Sequence, residues 1–250
     1  MMTRKLLLIG IPIVLLMYAS FYLFHPLIVY SFNRTKTPDF STETPWNKHK
    51  DEIRKNLDKW LTHQYQQLNT PSLSISIGQG DSIYWSNAIG IARVETLEKA
   101  TPETVYRIGS TSKTITGLGL AKLLMDEKIS LNQMVKEFIP DINPKLGAIT
   151  IAQLASHTSG IRNYGLCFCS PIWEYYNTRH YESEKEAISI FEDDELLFPS
   201  GSAQSYSTYN YTLLSAVMAS AANTHFEDYI QHEILSPLDM QRTSGRETSK

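Results

Sequence analysis

The stretch Arg107-Ile108-Gly109-Ser110-Thr111-Ser112-Lys113-Thr114 decides how the rest of the chain reads. It sets a serine and a lysine three residues apart at what reads as the first turn of a helix. Residues at that spacing share a helix face, with Cβ atoms roughly 5–6 Å apart. A lysine reaching back along the face can accept the hydroxyl proton and turn a weak nucleophile into a useful one. Ile115, Leu118, Ala121, Leu124 and Met125 follow as an apolar stripe, and Asp126-Glu127-Lys128 closes the helix. Packing that stripe into a core would hold Ser110 at a helix N-terminus, where unpaired N–H groups and the dipole favour a developing oxyanion. Each residue alone has a plainer reading: Ser110 as a helix N-cap, and Lys113 as a solvated first-turn lysine.

Upstream, Thr104-Val105-Tyr106-Arg107-Ile108 reads as a short extended piece leading into Gly109. Residues 72–78 (SLSISIG) alternate strictly, residues 82–92 carry aromatic and branched side chains, and Gln79-Gly80-Asp81 joins them as a hairpin turn. Ile53, Leu57, Trp60 and Leu61 recur at helical spacing within residues 46–68, and Asn69-Thr70-Pro71 ends that amphipathic helix. Downstream come helical segments at 130–140, 149–161, 185–198 and 226–240, with a strongly apolar one starting near Tyr211. The order is helix, hairpin, short strand and then helices. It fits a mixed α/β layer with an inserted helical subdomain.

Composition narrows the function. Hydrophobic content of 42% and charge of 20% are those of a globular protein, and a net charge of -3 argues against a nucleic-acid partner. The 7 histidines show no H-x-H or H-E-x-x-H spacing, so no metal site is expected. Cys167 and Cys169 stand as Cys-Phe-Cys, which is neither a redox C-x-x-C nor half of a zinc site; they read as free thiols or a strained local disulfide. Arg4 and Lys5 precede an uncharged run from Leu6 to Phe24, about the length that spans a bilayer core. We read residues 1–32 as a cytoplasmic tail and uncleaved signal anchor, with a cleaved signal peptide as the alternative. The positive tail puts the body on the extracytoplasmic (periplasmic) side, although Arg34 and Lys36 beyond the span weaken that orientation. Residues 33–46, polar with Pro38 and Pro45, form a linker, and residues 47–250 form the domain.

Four segments in order carry a family resemblance: VYRIGSTSKTITG, ITIAQLASHTSGI, LLFPSGSAQSYSTYNYTLL and ILSPLDMQRT. The chain resembles the serine β-lactamase and penicillin-binding-protein-like hydrolases, of class C type and near the mitochondrial β-lactamase-like branch. The resemblance covers roughly residues 85–243. It implies an α/β, β-lactamase-like (DD-peptidase) fold with a helical subdomain. It makes Ser110 the acyl-accepting nucleophile, Lys113 its proton partner and Tyr206 the second catalytic base. A tyrosine can serve only if its pKa, near 10, is lowered, which a neighbouring ammonium does. Thr208 stands where the family usually has asparagine. It would contact substrate without an amide, which tilts the expected substrate from β-lactams toward peptides or esters. His157-Thr158-Ser159-Gly160 also matches, with a structural role at a helix end. Asn210 stands where glycine is usual and Ser200 where a second proline is common, both read as apart from the chemistry. No metal or organic cofactor is implied.

One signature is missing. Nothing after Tyr206 matches the family's Lys- or His-Thr/Ser-Gly strand, which supplies an oxyanion donor and substrate contacts. Thr243-Ser244-Gly245 is not strand-like and comes too early in the family order. The expectation is a truncated copy lacking the C-terminal strands, inactive or very weakly active by itself. The reading is a membrane-anchored serine hydrolase acting on a D-alanyl peptide, an ester or a β-lactam. A non-catalytic, membrane-tethered binding or assembly protein is the alternative.

Overall fold

The computed structural model describes residues 16–20, 51–165, 174 and 181–245. The chain packs as two compact units, Met1–Tyr106 and Arg107–Lys250. The boundary falls inside the piece expected to be extended, which is irregular rather than a strand over residues 105–108. Residues 16–20 are helical, and the rest of the apolar run at 6–24 lies outside the described residues, as do Cys167 and Cys169. Among the described residues no helix is long and apolar enough to cross a membrane.

In the first unit helix α1 (Asp51–Gln67) packs on a sheet of strands β1 (Ser72–Gln79), β2 (Ser82–Arg93) and β3 (Glu98–Lys99), in the order β1-β2-β3. The expected hairpin forms with antiparallel register from Ser72 opposite Gly90 to Gln79 opposite Ser82. The charged connector adds β3, which the sequence did not announce because it is only 2 residues long. Helix α1 faces the sheet with Leu57, Leu61 and Tyr65, against Leu73, Ile75, Trp85 and Ile89. Ile53 and Trp60, expected on that face, are exposed instead. The buried face follows the i, i+4, i+8 row through Leu61 because Asp58, next along the helix, also turns inward. Its Oδ1 accepts from Asn87 Nδ2 at 2.9 Å and from Trp85 Nε1 at 3.3 Å. Asn87 is fully buried, so that carboxylate satisfies a donor that would otherwise be costly.

The second unit is helical and centres on α6. Its helices are α2 (Ser112–Met125), α3 (Pro144–Gly147), α4 (Ile151–Ala155), α5 (Glu184–Ile188), α6 (Thr208–Ala222) and α7 (Phe226–Ile230). Helix α6 is packed against by α2, α4, α5 and α7. Leu213, Leu214, Val217 and Met218 are fully buried at its centre, with Leu123, Leu154, Ile188 and Leu235 around them. The segments at 130–140 and 185–198 are mostly turns, with helix only as short pieces. Helix α6 begins at Thr208 rather than near Tyr211, because the Asn163 side chain caps it: Thr208 N–H donates to Asn163 Oδ1 at 2.9 Å. The stripe expected on α2 is corrected in part: Ile115 and Leu124 do pack half-buried against the core. The buried residues of α2 are Thr116, Gly119, Leu120 and Leu123, whereas Leu118 and Met125 are exposed. Apolar side chains surround this helix almost completely, so periodicity alone could not choose the face.

Candidate active site

Gly109, at φ +53°, turns the chain into a short 3-10 turn, Gly109–Thr111, that runs directly into α2. A positive φ of this kind is cheap for glycine and costly for residues with a Cβ. Ser110 therefore sits in the first turn of a continuous helical element, exposed at its N-terminal end. The far end of α2 is fixed by burial of Leu120 and Leu123 and by Tyr229, whose hydroxyl donates to the Gly119 carbonyl at 2.9 Å. Lys113, one turn along, directs its ammonium at Ser110 Oγ, 3.4 Å away.

Tyr206 comes from the other side, on the loop that precedes α6. Residues 199–207 are stapled to the 156–163 segment. Gly201 N–H donates to the Thr158 carbonyl at 2.8 Å and Ser205 N–H to the His157 carbonyl at 3.0 Å. The buried Ser207 hydroxyl donates to the Arg162 carbonyl at 2.7 Å. Gly160, at φ +84°, makes the close approach possible, since a Cβ there would lie 2.3 Å from the Phe198 carbonyl oxygen. The result brings the Tyr206 hydroxyl within 2.9 Å of Ser110 Oγ. The Lys113 ammonium lies 5.2 Å from the Tyr206 ring centroid and 5.4 Å from that of Tyr211, within cation–π range of both. Hydrogen bonding to Lys113, then to Ser110, holds the Tyr206 phenol below its ordinary pKa, against a smaller opposing effect of burial. Thr208, expected at the substrate, stands close enough to Tyr206 to add to that lowering. The structure thus draws Ser110, Lys113, Tyr206 and Thr208 together around one phenol.

Two residues given no catalytic role by the sequence lie behind these groups. The His157 ring centroid lies 4.5 Å from that of Tyr206 and 5.3 Å from that of Tyr211, so it is a wedge behind both tyrosines that flank Lys113. Burial, followed by the nearby Lys113 charge, holds its pKa below the ordinary histidine value. Asn210, fully buried on α6, is hydrogen-bonded to His157 Nδ1 at 3.2 Å. It stands behind His157, one side chain away from the tyrosine. The only signal in the sequence was the matched His-Thr-Ser-Gly segment, and nothing in it pointed toward residue 210.

Around this geometry the comparisons agree. The sequence pattern of the Beta-lactamase family matches residues 57–249, well over half of the chain. The chain belongs to the beta-lactamase family. It is similar to Protein flp of Staphylococcus aureus (strain N315), at 29% identity over 203 residues, covering 80% of this chain and 40% of that protein. It is also similar to the human serine beta-lactamase-like protein LACTB, mitochondrial, at 27% identity, covering 75% of this chain and 46% of the relative. The chain thus spans less than half the length of these curated relatives. Among solved structures it is similar to the octameric penicillin-binding protein homologue from Pyrococcus abyssi, with a TM-score of 0.64 and 26% identity over 75% of this chain and 43% of that one. FmtA from Staphylococcus aureus gives a TM-score of 0.65 over 90% of this chain and 56% of that one; at 23% identity it shows the fold alone. The β-lactamase-like α/β fold of this family member is the one its four sequence segments implied.

Proposed function

We propose that the chain is a serine hydrolase working through an acyl-enzyme on a D-alanyl peptide, an ester or a β-lactam. The observation that carries this is the 2.9 Å approach of Tyr206 to Ser110 beside the Lys113 ammonium. As phenolate, Tyr206 takes the Ser110 proton while Oγ bonds to the substrate carbonyl carbon and the carbonyl electron pair moves onto oxygen. The positive end of the helical element that carries Ser110 would stabilise that developing oxyanion. When the tetrahedral species collapses, the proton passes from Tyr206 to the leaving amine or alkoxide. Water then attacks the acyl carbon, gives its proton to Tyr206 and releases the acid as Ser110 regains its own. Lys113 keeps the phenolate available throughout, and Thr208 contacts both that phenol and the substrate.

The membrane is part of this reading: residues 6–24 anchor the chain, with the catalytic unit outside the cytoplasm. Arg4 and Lys5 ahead of the uncharged run support it. The chain should fractionate with membranes and be digested by protease added to spheroplasts; recovery in the soluble fraction would contradict it.

No Lys- or His-Thr/Ser-Gly triplet follows Tyr206 in these 250 residues. We therefore expect weak turnover or none from them alone. The test is hydrolysis of nitrocefin and of a p-nitrophenyl ester by the purified chain and by Ser110→Ala. Slow turnover that vanishes in the variant fits the proposal. Fast Ser110-dependent turnover contradicts the weakness, and turnover independent of Ser110 contradicts the nucleophile.

A further inference from the structure

The hydrogen bonds behind Tyr206 have their direction fixed at each link. Ile161 N–H donates to Ser159 Oγ at 3.0 Å, so the Ser159 proton must point elsewhere, and it goes to Asn210 Oδ1. Ser159 and Asn210 are both fully buried. With its oxygen occupied, the Asn210 amide presents an N–H to His157 Nδ1, 3.2 Å away. The Ser207 backbone N–H donates to the same nitrogen at 3.3 Å. Two donors converging on Nδ1 require a lone pair there, which leaves the ring proton on Nε2. We propose that Asn210 is a positioning residue that holds His157 as the neutral Nε2–H tautomer, and through that ring seats the Tyr206 phenol against Ser110.

The titratable groups facing the ring are Lys113 from α2, Tyr206 from the loop before α6, and Tyr211 from α6 itself. An imidazolium would turn an N–H onto the Asn210 and Ser207 donors and add a second cation beside Lys113. Either change pushes the ring off its seat, and Tyr206 rests on that ring. A misplacement of the base by about 1 Å is enough to cost on the order of 10²-fold in rate. Ser200 holds the far end of the network still, its hydroxyl donating to the Ser159 carbonyl at 2.6 Å.

The catalytic consequence rests on the acyl-enzyme reading, whereas the tautomer does not, so the test reads both. Nitrogen-15 imidazole spectra of the full chain, with His157 assigned by its loss in His157→Gln, should show Nδ1 unprotonated and Nε2 protonated at pH 7. The titration midpoint should lie below about 6.5, the ordinary value. Asn210→Asp keeps the shape but offers an acceptor; it should move the proton to Nδ1 and raise the midpoint above that of the wild type. Asn210→Gly leaves only the Ser207 N–H on Nδ1, so the Nε2–H form should persist with a titration midpoint above that of the wild type. In parallel, Ser110 labelling by fluorescent penicillin should fall roughly tenfold or more at pH 6 in both variants while the helical signal is kept. An Nδ1–H ring in the wild type, or an Asn210→Asp spectrum unchanged from it, overturns the proposal even if Asn210→Gly does not fold. Unchanged labelling alongside a switched tautomer overturns the link to Tyr206. Absence of wild-type labelling with the expected tautomer removes the acyl-enzyme reading and leaves the tautomer lock established.

Discussion

The Ser110 hydroxyl and the Tyr206 phenol stand 2.9 Å apart although 96 positions separate them in the chain. One is carried by the helical turn that opens α2, the other by the loop that opens α6, and the two helices pack directly on each other. The contact is therefore a product of the α6-centred core rather than of local sequence. Both groups are exposed, so a hydrogen bond there adds little to stability, and under the proposed mechanism its worth would lie in proton transfer.

Tyr206→Phe isolates that worth. Removing one hydroxyl from a half-exposed ring should leave the melting temperature nearly unchanged, within about 0.5 kcal/mol of stability. Acylation of Ser110 should slow by roughly 10²–10⁴-fold, the usual contribution of a positioned base. Stopped labelling with fluorescent penicillin measures the rate, and a loss below tenfold would show that Tyr206 is not the base.

If Tyr206 is the base proposed, Lys113 should set the pH at which it works. Hydrogen bonding to Lys113 lowers the Tyr206 pKa, so the phenolate fraction, and with it the acylation rate, should rise with pH about a midpoint below the ordinary phenol value. Lys113→Met removes the ammonium, so the phenol returns toward its ordinary value and the rising limb moves to higher pH. A labelling profile that does not move would assign the lowering to something other than Lys113.

The corrected face of α2 can be tested by stability alone. Leu123 is fully buried, and Leu123→Ala should cost about 2–5 kcal/mol in chemical denaturation. Leu118, on the stripe the periodicity had favoured, is exposed, and Leu118→Ser should change stability by no more than about 0.5 kcal/mol. Equal losses would restore the original stripe.

Acid lability should trace to the ion cluster that backs the 156–163 segment. Arg162 grips Glu174 at 2.8 and 2.9 Å and reaches Asp194, while the Tyr209 hydroxyl donates to Glu174 at 3.0 Å. Burial raises the Glu174 pKa, but hydrogen bonds from Arg162 and Tyr209 together outweigh it and hold the group below the ordinary carboxylate range. Its contribution to stability is complete above about pH 4.3, the unfolded value, and is lost as pH falls through the lower folded value. Arg162→Met should cost about 1–3 kcal/mol at pH 7 and flatten the stability profile in that acid window. An unaltered acid-unfolding curve would contradict this.

How much of this was legible follows from the range of each interaction. Ser110 and Lys113 lie on one helical turn, so their spacing showed them. The β1–β2 hairpin was equally local, its alternation and its Gly80-Asp81 turn lying within a few residues of each other. Tyr206 needed the family resemblance, because no short pattern ties position 206 to position 110. Asn210 was legible by neither route: its role depends on Ser159 fixing its amide and on Ser207 sharing the His157 nitrogen, a three-segment arrangement that only packing creates. Helix faces failed where apolar residues ran all round α2, and where Asp58 was drawn inward by the buried Asn87 and Trp85.

Intact-mass analysis of the purified chain after incubation with benzylpenicillin, followed by peptide mapping, reaches the central claim most directly. A single penicilloyl adduct on Ser110, absent in Ser110→Ala and formed far more slowly in Tyr206→Phe, is the result the structure predicts. An adduct on another residue, or one forming on Ser110 at the same rate without Tyr206, would contradict it.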